Sequence, residues 1–179
     1  EYRAILQQVE KGLETGEFRL HYQPKVDMRR GIVIGLEALI RWQHPEEGLL
    51  APARFMPAVE TSGLAVAIDR WVLHEALRQM SVWASQGLTL PVSVNLSARY
   101  LQQPNLMTRL QGLLAEYPSV PTDRLELEIL ETAALEDLQA ISALLTDCRQ
   151  RGIRFALDDF GTGYSSLTYL RKLPVHVLK

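Results

Sequence analysis

Ile5, Leu6, Val9 and Leu13 recur at helical spacing and Gly16 follows them, which predicts an amphipathic helix over residues 2–15 packed outside a sheet. Phe18, Leu20 and Tyr22 then alternate with Arg19, His21 and Gln23, the period of a half-buried strand that Pro24 helps to end, near Val26. Residues 32–42 (IVIGLEALIRW) form a second β-rich run, separated from the first by a short MRRG turn. Parallel neighbours need a crossover of roughly a dozen residues or more, so these two strands should form an antiparallel hairpin.

The rhythm then changes to long helices alternating with short strands. Ile68, Val72, Ala76, Met80 and Trp83 stripe a helix ending near Gly87, and VSVN at 92–95 is the next strand. A helix around 105–117 leads to LELEI at 125–129. Leu138, Ile141, Leu145 and Cys148 mark another helix, with Glu136 and Asp137 in its first turn and Gly152 just past its end, and IRFALD at 153–158 follows. A helix near 164–172 leads to VHVL. Six strands, five of them in strand–helix alternation, argue for an α/β protein with a mainly parallel sheet. Periodicity leaves open whether that sheet closes into a barrel.

With 179 residues, 47% hydrophobic and 22% charged, the chain belongs among globular proteins and reads as one domain whose core needs no disulfide. Cys148 has no cysteine to pair with and no Cys/His cluster has zinc spacing, which suits a reducing, cytoplasmic setting, including the cytoplasmic part of a membrane-anchored protein. No apolar run approaches the roughly 20 residues of a membrane span, and the first residues lack a signal peptide's apolar block. The net charge of −2 argues against a DNA or RNA polymer as ligand. A phosphate ligand would instead need a few placed cations.

Candidate chemistry gathers where buried strands should end. Gly35, Glu37, Leu39 and Arg41 share one face by period two; Asn95 closes VSVN; Glu128 shares a face with Glu126; Asp158 and Asp159 close RFALDD. Functional residues of parallel sheets and barrels lie at these carboxyl ends. Carboxylates crowded together repel unless cations sit among them, and hard oxygen donors select Mg²⁺ or Mn²⁺. Adjacent residues of a regular strand face opposite ways, so the strand must break at the Asp pair, where Gly161 and Gly163 give the backbone freedom to turn and one aspartate could bridge two ions. Structural alternatives stand beside each assignment. Glu37 alone could be a surface strand residue, Asn95 a turn former or helix cap (with Ser97 the better cap), and Arg41 a residue that stacks on Trp42 or pairs with a nearby acid. The four histidines show no ligand spacing.

YQPKVD, GLEALIRW, NLS, LELEILE and DDFGTGYSSL occur in this order, interleaved with HPEEG, FMPAVETSGL and IDRWVL. Along its whole length the chain resembles the EAL domain family. The resemblance implies a TIM-type (β/α)8 barrel with one antiparallel strand, about six of its eight strands lying in residues 1–179. It implies metal-dependent hydrolysis of the bacterial second messenger cyclic di-GMP to linear pGpG, by in-line displacement with two ions, Mg²⁺ or Mn²⁺. By motif match, Glu37, Asn95, Glu128 and Asp158 would hold the first metal, and Asp158 and Asp159 the second. Lys179 would orient the attacking water, Glu131 would tune the Asp159 loop, and Gln23, Leu39 and Arg41 would contact the dinucleotide. A homodimer through the loop after Asp159 and fusion to an upstream sensory or cyclase-like domain are also implied.

Leu130 stands where the family usually has Thr, which predicts reduced turnover, and His176 stands where Asp is common. The resemblance places a further catalytic Glu beyond Lys179, so the 179-residue piece alone is expected to be inactive. A catalytically silent cyclic di-GMP receptor is the alternative function, and a pure interaction module a third.

Overall fold

A computed structural model of the chain describes residues 2–130, 138–158 and 177–178. The expected first helix forms as α1 (Tyr2–Thr15), and the chain reverses after it at Gly16. β1 (Phe18–Asp27) and β2 (Ile32–His44) then pair antiparallel from Phe18↔Trp42 to Asp27↔Ile32, the hairpin foreseen from the short turn. The Asp27 carboxylate closes that turn by accepting the backbone N–H groups of Arg29 and Arg30 at 2.9 and 3.1 Å, and Gly31 takes the left-handed conformation at φ 63°. A side chain there would crowd the backbone.

Pro24 does not end the strand. It lies inside β1, opposite Leu36. β1 is an edge strand among the described residues, where a proline can turn its missing N–H away from the ladder. The irregularity comes one residue later: Lys25 pairs with Gly35 and Val26 with Val33, leaving Ile34 as the extra residue of a bulge.

After β3 (Gly48–Leu50), which folds back on β2, come a 3₁₀ turn at Pro52–Arg54 and α2 (Met56–Glu60). Then follow α3 (Leu64–Ser85), β4 (Val92–Leu96), α4 (Ala98–Leu101), α5 (Leu106–Ala115), a second 3₁₀ turn (Thr122–Arg124), β5 (Leu125–Leu130), α6 (Leu138–Gln150), β6 (Arg154–Asp158) and β7 (Val177–Leu178). Sequence periodicity missed β3, α2 and α4 because each is too short to complete a repeat. The helix expected near 164–172 lies outside the described residues.

The sheet runs β1-β2-β4-β5-β6-β7, parallel from β2 onward, with β3 on the side of β2. This is the mixed α/β arrangement of a TIM-barrel-like fold, and it is not closed among the described residues. On the sheet's outer face, Val92, Val94, Leu125, Leu127, Ile129 and Phe155 are buried in one core with Ile68, Leu73 and Leu77 of α3. Phe18 stacks on Trp42 with centroids 5.5 Å apart, and Phe55 and Trp71 close around them. The Trp42 indole donates to Glu17 at 2.8 Å, satisfying its polar atom inside this cluster. Cys148 is buried in the core, its thiol pushed up to about 12 by burial. Among the described residues no helix is long and apolar enough to cross a membrane.

Candidate active site

Strand register assembles the site. β2 meets β4 at Glu37↔Ser93, β4 meets β5 at Asn95↔Glu128, and β5 meets β6 at Glu128↔Ala156 and Leu130↔Asp158. Period two therefore places Glu37, Ser93, Asn95, Glu126 and Glu128 on one face, the inner one. Asp158 closes β6 at a position of the same parity, its side chain lying outside the description.

Glu37 does not end its strand, since β2 continues to His44. What ends beside it is the parallel ladder, which runs only from Leu36↔Val92 to Ala38↔Val94. Glu37 thus occupies the carboxyl edge of the parallel sheet from the middle of a long strand. The Asn95 amide donates Nδ2 to Glu37 Oε1 at 3.1 Å, joining β2 and β4 across that edge. Asn95 is exposed and Glu37 half-buried, whereas Glu128 is 0% exposed, so the site opens toward β2 and β4 and is enclosed at β5.

Below this layer lies a polar cluster. Lys25 Nζ donates to Glu128 Oε1 at 2.7 Å, to Glu126 Oε1 at 3.0 Å and to Ser93 Oγ, while Ser93 Oγ donates to Glu126 Oε1 at 2.6 Å. Burial raises the Glu126 carboxyl, but the bonds from Ser93 and Lys25 and the charges of Lys25 and Arg154 outweigh it and hold the group below the usual carboxylate range. In the sequence Lys25 was only one letter of YQPKVD. The signal that could have found it is its parity with Gln23 on β1.

The three predicted ligand contacts share the face of Glu37. Gln23 pairs with Glu37, and Leu39 and Arg41 follow toward the strand's carboxyl end, opposite His21 and Arg19. Trp42 faces the other side, in the aromatic cluster, so Arg41 does not stack on it. Arg19, which sequence reasoning missed, stands directly across from Arg41. Arg41 Nη1 donates to the Ile40 carbonyl at 2.8 Å, and Arg19 Nη1 to those of Gly16 and Phe18 at 2.6 Å each. Like charges in register repel. This end of the hairpin is therefore electrostatically suited to an anion.

Ser97 is the cap of α4, as expected, its Oγ accepting the Tyr100 N–H at 3.2 Å. Asp69 of α3, only 4% exposed, accepts the Ser97 N–H at 3.0 Å and its hydroxyl at 2.5 Å, fixing the chain two residues beyond Asn95. Burial pushes the Asp69 carboxyl up to about 6 against the opposing Ser97 bonds. An acid set within the apolar stripe of IDRWVL was the sequence signal for it. His44 is buried and accepts the N–H groups of Glu46 and Glu47, and His74 bonds Tyr117, so neither belongs to the site.

Glu131, Asp159 and Lys179, the DFGTGYSS loop and His176 lie outside the described residues. Among the described residues no three His, Cys, Asp or Glu side chains close around one metal position. The donors that are described, Glu37, Asn95 and Glu128, are all oxygen donors, a chemistry that fits Mg²⁺ or Mn²⁺ and not a soft thiolate-seeking metal.

A family model described as EAL domain matches residues 6–179. The bifunctional diguanylate cyclase/cyclic di-GMP phosphodiesterase MucR of Pseudomonas aeruginosa is 42% identical over 176 residues, covering 98% of this chain and 26% of that protein. The cyclic di-GMP phosphodiesterase PdeR of Escherichia coli is 39% identical over 181 residues, covering 100% of this chain and 27% of that protein. The chain thus spans about a quarter of the length of the curated relatives it matches. The solved PaMucR phosphodiesterase in complex with c-di-GMP superposes with a TM-score of 0.91 at 41% identity, over 98% of this chain and 71% of that one.

Proposed function

Because the chain belongs to the EAL domain family, we propose that the domain it forms hydrolyses cyclic di-GMP to linear pGpG with two Mg²⁺ or Mn²⁺ ions. The observation that carries this reading is the convergence of Glu37, Asn95 and Glu128 on one face at the carboxyl edge of the parallel strands, with Asn95 bonded to Glu37 at 3.1 Å. Glu37, Asn95, Glu128 and Asp158 would hold one cation, and Asp158 and Asp159 would serve the second. Bound there, the cations supply a lowered pKa to a water molecule and offset the charge of the phosphoryl oxygens. Lys179 would orient that water, and Glu131 would tune the loop at Asp159. Gln23, Leu39 and Arg41 contact the dinucleotide, and Arg41, with Arg19 facing it, attracts its phosphates.

A cytoplasmic setting, a homodimer through the loop after Asp159 and fusion to an upstream sensory or cyclase-like domain belong to the same proposal.

The test is incubation of the intact protein with cyclic di-GMP and Mg²⁺ or Mn²⁺, followed by chromatography for pGpG. Product formation that EDTA abolishes is the expected result. Binding without product would replace the enzyme by a receptor, and absence of binding would leave an interaction module.

A further inference from the structure

Lys25 lies on β1, opposite Gly35 of β2. A Cβ at Gly35 would sit 3.1 Å from the Pro91 carbonyl oxygen and 3.9 Å from Lys25 Cδ, so the lysine stem passes close over the glycine. Beyond it the ammonium reaches Ser93 of β4 and both Glu126 and Glu128 of β5. Neighbouring strands of a flat sheet are about 4.8 Å apart, so a strand three places away would be beyond a lysine's reach. The contact exists because the sheet curls and brings its inner faces together.

We propose that Lys25 is a positioning residue of the metal site, holding Glu128 through Oε1 so that the carboxylate meets the cation in a fixed orientation. This inference rests on the metal-dependent reading given above. Three observations carry it. Glu128 is 0% exposed, so its placement is set by protein groups rather than by water. The ammonium is itself anchored from below by Ser93 and Glu126, which are bonded to each other at 2.6 Å. Finally, Glu126 and Glu128 are successive inward residues of β5, so the anchor lies one layer beneath the ligand. Groups that orient metal ligands in this way alter affinity by roughly 10- to 100-fold when removed.

Mn²⁺ binding to the intact protein, followed by electron paramagnetic resonance, separates the possibilities when read beside the melting temperature of each variant without metal. Lys25→Met is expected to weaken Mn²⁺ about 10-fold or more at temperatures where the protein is fully folded. Glu128→Gln should show a larger loss. Should Lys25→Met not fold, Ser93→Ala removes a single anchor of the ammonium and is expected to weaken Mn²⁺ severalfold. A lowered melting temperature with unchanged Mn²⁺ affinity, in whichever of the two variants folds, would overturn the proposal and leave Lys25 a structural residue. Failure of the unaltered protein to bind Mn²⁺ would refute the metal-dependent reading itself.

Discussion

The Glu37 carboxylate is half-buried, bonded to Asn95, and placed on a long strand whose core packing lies on the opposite face. Its replacement therefore leaves the aromatic cluster at Trp42 untouched. Glu37→Ala is expected to abolish pGpG formation while leaving the far-ultraviolet circular dichroism unchanged and the unfolding free energy in urea within about 0.5 kcal/mol of the unaltered protein. Retained turnover would refute the ligand assignment. Asp69 makes a different prediction. Its carboxyl, raised to about 6 by burial, keeps its proton in the folded state at pH values where the unfolded chain, near its ordinary value of about 4, has released it. The native state then binds more protons, so this group lowers stability as pH rises from about 4 to about 6, on the order of 2–3 kcal/mol in all. Asp69→Asn should remove that fall, and urea midpoints of the two proteins across this range, if parallel, would contradict it. The placement of Glu37, Asn95 and Glu128 on the strands was legible in the sequence because a polar residue interrupting a β-rich run stands out. Lys25, Arg19 and Asp69 were not, because their roles depend on partners 68 to 103, 22 and 28 positions away, joined only by register and packing.

Among the elements, the β1–β2 hairpin, the β4–α4 junction and β5 position the described candidate residues. Antiparallel pairing was predictable from the length of the turn alone, whereas the passage of β1 through Pro24 depends on β1 having only β2 as a partner among the described residues, which no local pattern reveals. The turn itself depends on Gly31 at φ 63°. Gly31→Val should cost about 1–2 kcal/mol, measured by urea unfolding, because a β-branched residue resists that conformation. Ser97 serves two elements at once, capping α4 and donating to Asp69. Ser97→Ala should cost about 1–2 kcal/mol. It should also raise the KM for Mg²⁺, since Asn95 lies two residues before it. An unchanged Mg²⁺ dependence would separate the cap from the site.

For the molecule as a whole, ligands that bind only the folded state stabilise it by mass action. Mn²⁺ at about 100 times its dissociation constant should add about 2.7 kcal/mol, seen as a higher melting temperature that EDTA reverses and that Glu37→Ala lacks. Strand β1 also has a mechanical consequence. At its beginning Phe18 is clamped on the outer face by Trp42, Phe55 and Trp71, and near its end Lys25 is tied on the inner face into Ser93, Glu126 and Glu128. It is a beam fixed at both ends, on opposite sides. Such a beam resists both peeling and rolling, and Gln23 sits on its span.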